Sequence, residues 1–528
     1  MDQFVETLYS VFSVDQIVSS HPIIVDVNRP EEIIEVFDSI PYSKGASVLR
    51  MLNDFIGEAS FKEGLTSYLN KFEYGNAKSA DLWDSLQEAY DNNVGGGVNI
   101  AEVMNTWTKQ MGFPVVNVER SGNDLRLTQD WFLVDPNANT SAAPYESPYG
   151  YKWEIPFTSK FKNSLEDDRT FTWMGVDGLE VSVPGDDSDW YIANFEQMGY
   201  YRVKYEENNW KALTTQLIND HEAIPVTDRS GLLEDSFNLA NAEQLSYDIA
   251  LDLTLYLDQE NDYVPWDAAY GNFWWLNEIL RFQPAYGDWR TYLAKQTANL
   301  MATYADWNET LSHLDGFLRS DIIYLACGSG NPDCLAEAKR QLQIYLNNGY
   351  VSPNVRSPVL RFGMEQDGGQ ENWDKMWEMY INSTLSSEKS RLLSGMARTR
   401  HVWLLSRYIE YAMDESKIRS QDFFSVMYYI ASNPVGNPLV WDFTRANWET
   451  LVDRFGINSG GLGGLIPDIT YYYCTELKLQ QMEEFFTKYP EAGAGTRGRQ
   501  QALERVKTNI DWVKRNQDVI QQWLNRNL

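Results

Sequence analysis

The hydrophobic period of the chain changes twice, and these changes constrain the fold more than any other feature of the sequence. Up to about residue 113, apolar side chains recur at three- and four-residue spacing, as in "SADLWDSLQEAYDN", which is typical of amphipathic helices. From Val115 the pattern alternates or runs apolar between Gly, Asn, Asp and Pro turns, which indicates short strands. From residue 206 the helical spacing returns and continues to the C-terminus.

This pattern predicts a multidomain chain that is mainly α with a small β-sandwich. The expected domains are a helical part at 1–113, a β-sandwich at 114–205 and a helical domain at 206–528. Successive helical hairpins in the last part favour an α-solenoid with a concave face. No strict repeat period is present, so this prediction rests on the number of helices.

Composition limits the function classes. Of 528 residues, 43% are hydrophobic and 14% aromatic, enough to build large cores. The formal net charge of −31 repels nucleic acid and anionic lipid headgroups, so no nucleic-acid partner is expected. No apolar run reaches the roughly 18 residues that a membrane-spanning helix needs.

The first residues show no basic region followed by an apolar core, so no signal peptide is expected here. The chain instead begins inside a helical pattern, "QFVETLYSVF". We therefore expect either a shortened gene model or an engineered fragment of a longer protein.

Cysteine usage gives one structural hypothesis. Cys327 and Cys334 flank the turn "GSGNPD", so a local disulfide worth about 2–3 kcal/mol is expected, with two reduced thiols as the alternative. Cys474 is expected to be a buried small apolar residue. Three N-x-S/T sequons favour secretion, and with it the disulfide, and are candidate glycosylation sites: Asn139, Asn308 and Asn382.

The residues that usually carry hydrolytic chemistry are sparse. A zinc peptidase helix needs His at i and i+4, but the single His-Glu pair, at His221, is followed four residues later by Pro225. No G-x-S-x-G occurs, and the glycines of "GGLGG" at 460–464 are expected to form a flexible loop rather than a phosphate site. No metal site is therefore predicted on this chain, whose histidines are His21, His221, His313 and His401.

One segment raises a question of its own. In "FDSIPYSKGASVLRML", Pro41 precedes a helix and Tyr42 places a phenol at the start of that helix. Taken alone, Tyr42 would be read as a packing or capping residue.

This segment resembles the stretch that follows the zinc site in the M1 family of zinc aminopeptidases, in its aminopeptidase N branch. The resemblance covers essentially the whole chain, and its motifs occur in the family's order. They are "VDQIVSSHP", "IIEVFDSIPYSKGASVLRML", "NTWTKQMGFPVVNV", "GYYRVKYEENNW", "DRSGLLEDSFNLA" and "VWDFTRANW".

The resemblance implies a helical remnant of a thermolysin-like zinc domain, then a β-sandwich, then a superhelical C-terminal domain. It implies that Tyr42 stabilises the transition state by donating a hydrogen bond to the developing oxyanion. Cys327 and Cys334 match a family disulfide, whereas Arg361 and Arg398 stand near the positions of a second one, which is expected to be absent. Zinc is implied for the parent enzyme, and none is expected on this chain, because the H-E-x-x-H motif does not occur in it.

Functionally, the resemblance implies part of an enzyme that removes N-terminal residues from peptides. The helical domain would wall the substrate chamber, and the chain alone would be inactive. The parent is expected at the cell surface or outside the cell, with a membrane anchor or a homodimer through the C-terminal domain as further expectations. The alternative is a non-catalytic peptide- or protein-binding module, which the intact Tyr42 motif disfavours.

Overall fold

Helices occupy the start of the chain in the computed structural model, which describes residues 3–28, 33, 36–122, 124–162, 170–182 and 189–528. A π-helical turn, Ile40–Lys44, leads directly into the second of these helices. The helices before the first strand are α1 (Phe4–Asp15), α2 (Gly45–Ile56), α3 (Glu58–Lys71), α4 (Ser79–Val94) and α5 (Ile100–Thr108).

Two of these helices begin with side-chain caps. Asn99 accepts a hydrogen bond from the Glu102 N–H at the start of α5, as its residue type predicts. At the start of α4, Lys78 occupies the cap position and its N–H donates to the Asp81 carboxylate at 2.7 Å, while Ser79 is the first residue of the helix.

The described strands form two sheets, as the predicted β-sandwich requires. One sheet has the order β5-β2-β1-β7, in which β1 and β7 are parallel and the other pairs antiparallel. The second has the antiparallel order β4-β3-β6, and β3 is buried along its whole length. The strands are β1 (Pro114–Ser121), β2 (Asp124–Trp131), β3 (Ile155–Phe161), β4 (Thr170–Met174), β5 (Leu179–Ser182), β6 (Tyr191–Ala193) and β7 (Arg202–Tyr205).

Three helices, α6 (Glu207–Asp220), α7 (Val226–Asn241) and α8 (Tyr247–Asp252), follow the strands within the compact unit Met1–Tyr256. Helix α7 is buried almost all round although it carries charged side chains. Buried charges require partners, and Arg202 supplies one: its guanidinium lies 3.1 Å from Asp235 Oδ1.

The second compact unit, Leu257–Leu528, is helical in every element described. Its helices are α9 (Tyr263–Leu280), α10 (Tyr286–Thr303), α11 (His313–Ser329), α12 (Pro332–Asn348), α13 (Pro353–Asp367), α14 (Gln370–Asn382), α15 (Ser386–Met396), α16 (Val402–Met413), α17 (Phe423–Ala431), α18 (Asn437–Ala446), α19 (Trp448–Phe455), α20 (Gly460–Ile469), α21 (Glu476–Lys488) and α22 (Thr496–Asn527).

Neighbours along the chain pair as hairpins in this unit, for example α10 with α11 and α12 with α13. Alternate helices also pack together: α9 with α11, α11 with α13, and α13 with α15. This is the contact pattern of a helical solenoid, as the helix count predicts. The 32-residue helix α22 packs against α9, α10, α20 and α21.

The loop prediction for "GGLGG" is wrong, because residues 460–464 form the first turns of α20. These glycines permit close contact. A Cβ on Gly461 would lie 2.4 Å from the Phe424 ring, and one on Gly463 would lie 2.9 Å from the backbone nitrogen of Gly495. Backbone approach, rather than flexibility, explains the glycine content.

Strand β1 begins at Pro114 and β7 ends at Tyr205, whereas the boundary between the two compact units falls after Tyr256 in the sequence. The three-domain division therefore stays a prediction. No helix in the described part of the chain is both long and apolar enough to cross a membrane.

Candidate active-site segment around Tyr42

Tyr42 lies in the π-helical turn and faces outward. Its side chain is 61% exposed, and its ring meets the ring of Phe37 edge-on at a centroid distance of 5.5 Å. Within the described residues, the Tyr42 hydroxyl has no hydrogen-bond partner. The phenol is therefore accessible to a group outside the described residues.

The beginning of the turn is held by a carboxylate. Asp38 Oδ1 accepts a hydrogen bond from the Ile40 N–H at 2.8 Å. The buried His21 ring supports that carboxylate, since its Nε2 lies 3.1 Å from Asp38 Oδ2 and its Nδ1 lies 2.8 Å from the Pro22 carbonyl oxygen. These contacts fix the backbone two residues before Tyr42.

The end of the turn is held by a buried lysine. Lys44 Nζ lies 2.9 Å from Asp15 Oδ2, and neither side chain is exposed to solvent. The same ammonium donates to the carbonyl oxygens of Gly112 at 2.9 Å and Gln110 at 3.3 Å, both in the loop between α5 and β1. Burial lowers the pKa of Lys44, and the nearby Asp15 charge opposes that effect.

Asp15 completes this network as a fully partnered buried carboxylate. Its Oδ1 accepts from Ser20 Oγ at 2.7 Å and from the Gly112 N–H at 2.9 Å, and its Oδ2 accepts from the Tyr200 hydroxyl at 3.1 Å. Burial, followed by the Asp15 charge, raises the pKa of Tyr200. A buried ion pair with this many hydrogen bonds holds α1, the turn and the strand region in a single geometry.

Helix α2 anchors the segment from its other end. It buries Val48, Met51, Leu52 and Ile56, which recur at helical spacing in the motif. The segment thus presents an exposed phenol on a backbone that is fixed on both sides of it.

The described residues do not fit a zinc site. No group of three or more His, Cys, Asp or Glu side chains that could hold a metal ion occurs among them. The two histidines of the second unit lie at helix starts: His313 is the first residue of α11 and contacts Phe317, and His401 is the N-cap of α16. We therefore derive no catalytic step through a metal from this chain.

The other predicted site residues belong to other parts of the chain. Cys327 and Cys334 are joined by a disulfide across the turn between α11 and α12, and Cys474 is a buried free thiol. All three asparagines of the sequons are exposed: Asn139, Asn308 and Asn382.

Arg361 and Arg398, which replace the cysteines of a second family disulfide in the prediction, both make side-chain contacts. The Arg361 guanidinium lies over the Trp274 ring at 4.7 Å, and Arg398 donates to the Ser432 carbonyl oxygen at 2.9 Å. Burial, with the Arg361 charge next, lowers the pKa of Arg398 to about 9.

Sequence reasoning proposed Tyr42 as a candidate but missed the residues that hold its turn. Asp15, Lys44 and Tyr200 come together only in the fold, since Tyr200 is 185 residues from Asp15. Lys44 in "PYSKG" has the appearance of an ordinary surface lysine, so no local signal marks it.

Comparison with known proteins places the chain in a family. The Peptidase family M1 domain matches residues 1–107, and the ERAP1-like C-terminal domain matches residues 190–508. The second match covers more than half of the chain. The chain belongs to the M1 aminopeptidase family.

Similar proteins carry aminopeptidase names. The chain is 38% identical to Aminopeptidase N of Homo sapiens, over 98% of its own length and 54% of that protein. It is 39% identical to Glutamyl aminopeptidase of Sus scrofa, over 96% of its length and 53% of that protein. It is 39% identical to Aminopeptidase Ey of Gallus gallus, over 98% of its own length and 54% of that protein. The chain thus spans about half the length of these relatives.

Proposed function

We propose that this chain is the C-terminal part of a zinc-dependent aminopeptidase that hydrolyses N-terminal residues from peptides. The family membership and the names of its relatives support the reaction class. The metal would be held by residues outside those described, because the described part of the chain offers no ligand cluster. When bound, zinc would supply an activated water.

The observation that carries the proposal is the exposed Tyr42 hydroxyl on a turn fixed from both ends. In the proposed reaction this hydroxyl donates a hydrogen bond to the scissile carbonyl oxygen as that oxygen gains negative charge. A preorganised donor of this kind contributes about 3–4 kcal/mol to transition-state stabilisation. Preorganisation requires a fixed backbone, which the contacts of Asp38 and Lys44 provide.

An extracellular or cell-surface location is part of the proposal. The disulfide between Cys327 and Cys334 and the exposed sequons support an oxidising compartment. A membrane anchor, a homodimer through the helical unit and glycosylation of Asn139, Asn308 and Asn382 remain predictions for the parent protein.

The test uses the full-length product of the transcript, read through the region that precedes Met1. Its zinc content and its hydrolysis of an aminoacyl anilide are measured, together with those of the Tyr42→Phe variant. We expect the variant to lose about 10²–10³-fold in kcat with little change in KM, because the lost donor acts in the transition state.

Tyr74→Phe is the matched control, since Tyr74 is fully exposed and lies outside the turn. It should retain wild-type kcat. The proposal is wrong if the full-length product hydrolyses no aminoacyl anilide, or if Tyr42→Phe keeps the wild-type kcat.

A further inference from the structure

A cavity of about 590 Å³ lies within the helical unit Leu257–Leu528. Its walls come from the end of α9, from α17 and α18, and from the segment that joins α20 to α21. A cavity of this volume accommodates a small organic ligand. It belongs to a different compact unit from the Tyr42 segment.

Several aromatic side chains line this cavity. Tyr428 is 46% exposed, Tyr472 is 37% exposed and Phe282 is 73% exposed, so their faces are accessible rather than packed in a core. Tyr471 also lines the cavity, and its ring meets that of Tyr472 at 4.9 Å. Exposed aromatic faces that converge on one cavity attract cations through their quadrupoles.

The charged side chains of the lining are two acidic and two basic ones, Glu278 and Asp468 with Arg281 and Lys478. The Asp468 carboxylate lines the cavity, and among the described residues it has no hydrogen-bond or ion-pair partner. Glu278 also lines the cavity, but Arg281 neutralises it with contacts of 2.5 and 3.2 Å. Asp468 is thus the carboxylate in this lining without a direct hydrogen-bond or ion-pair partner; burial raises its pKa, and the charge of Arg505 opposes that rise.

Two nearby cations lie over tyrosine rings of the lining. The Arg505 guanidinium lies over the Tyr471 ring at 4.2 Å, and Lys478 Nζ lies 4.9 Å from the centroid of the Tyr473 ring. Burial is the largest cause that raises the pKa of the Tyr472 hydroxyl. The next causes are neighbouring groups that are negative when ionised, Glu278 among them, and each of them also raises this pKa. A cation placed between Tyr472 and Asp468 would therefore find favourable electrostatics on both sides.

We propose that this cavity is a binding site for an organic cation with an apolar or aromatic body. The ammonium or guanidinium group of the ligand pairs with Asp468, and its apolar body lies against Tyr428, Tyr472 and Phe282. Neither the matched families nor the names of the relatives assign this site.

Three probes that share a phenethyl body and carry a cationic, a neutral or an anionic group test this inference on the whole 528-residue chain: phenethylammonium, phenethyl alcohol and 3-phenylpropionate. Titration calorimetry measures the affinity and the number of ligands bound. We expect one phenethylammonium per chain, with an affinity about tenfold above that of the neutral alcohol. The anion should bind more weakly than the alcohol.

Variants assign the binding to the cavity. Asp468→Asn and Tyr472→Leu should each weaken phenethylammonium binding by about tenfold, because each removes one attractive group. Lys478→Met should strengthen it, since a like charge is removed. Asp453→Asn, at an exposed aspartate outside the cavity, is the matched control and should leave the affinity unchanged.

The proposal is wrong if the alcohol or the anion binds as tightly as the cation. It is also wrong if Asp468→Asn weakens binding no more than Asp453→Asn does. Circular dichroism of each variant checks that the helical content is intact, so that a loss of binding reports on the cavity.

Discussion

Lys44 Nζ lies 2.9 Å from Asp15 Oδ2, and both side chains are fully buried. This ion pair joins the end of α1 to the turn that carries Tyr42. Placing two charges in a core is costly, and such a pair persists where hydrogen bonds satisfy both partners. Here Asp15 accepts from three further donors and Lys44 donates to two carbonyl oxygens. The position of the exposed phenol is therefore set by a buried network.

Breaking this pair should be strongly destabilising. Lys44→Met leaves the Asp15 carboxylate buried without its counter-ion, which we expect to lower the free energy of unfolding by about 3–5 kcal/mol. Urea denaturation followed by tryptophan fluorescence measures the change. The double variant Lys44→Met/Asp15→Asn should lose less than the sum of the two single changes, because no charge is left alone.

The control for this prediction is an exposed ion pair. Lys211 and Glu207 pair on the surface of α6, where both side chains are about two-thirds exposed. Lys211→Met should cost at most about 1 kcal/mol. If Lys44→Met were as mild as Lys211→Met, the buried pair would not hold the turn.

Two tyrosines of the same unit should respond differently to loss of the hydroxyl. Tyr42→Phe should change the free energy of unfolding by less than about 0.5 kcal/mol, because its exposed hydroxyl has no partner among the described residues. Tyr200→Phe removes a buried hydrogen bond to the Asp15 carboxylate and should cost about 1.5–3 kcal/mol. Equal losses in the urea titration would mean that the Tyr42 hydroxyl is a structural group.

The sequence predicted the parts of the fold that depend on the local spacing of apolar side chains. The switch from helix to strand near Val115, the return to helix after Tyr205 and the helical hairpins of the second unit all follow from side-chain spacing, and the structure has them. The helix cap at Asn99 likewise follows from the residue type and its place just before an amphipathic segment.

What the sequence did not predict depends on contacts between distant segments. The glycines at 460–464 were read as a loop because glycine disfavours helices in isolation. The structure uses Gly461 and Gly463 for close packing against Phe424 and the backbone of Gly495, which no local pattern reveals. The parallel pairing of β1 with β7 is similarly set by the fold rather than by either strand.

Asp228 should make stability depend on pH. It lies in the buried helix α7, where Oδ1 accepts from the Glu196 N–H at 2.8 Å, and burial raises its pKa well above 3.8. Between the unfolded and folded pKa values the folded state therefore holds the extra proton, so stability falls as pH rises. We expect wild type to lose stability relative to Asp228→Asn as pH rises above the ordinary value of 3.8.

Chemical denaturation at several pH values measures this difference, with Asp453→Asn as the control for loss of an exposed charge. The quantity to compare is how the difference in free energy of unfolding between wild type and Asp228→Asn changes with pH. Any effect of the substitution that does not depend on pH adds a constant to this difference. A difference that is flat as pH rises above that ordinary value, or that has the opposite sign, would contradict the assignment.

The disulfide between Cys327 and Cys334 gives the last prediction. It closes a loop with a sequence separation of 7, for which loop-closure entropy gives a stabilisation of about 2.5 kcal/mol. A phosphine reductant should lower the urea midpoint of the wild-type chain accordingly, because the reduced unfolded chain gains conformational freedom. The variant Cys327→Ala/Cys334→Ala should begin at the lower midpoint and not respond to reductant.

Cys474→Ala removes a buried thiol that closes no loop, so its response to reductant should match that of wild type. If the double variant still responded to reductant, a bond other than this disulfide would be the source of the effect.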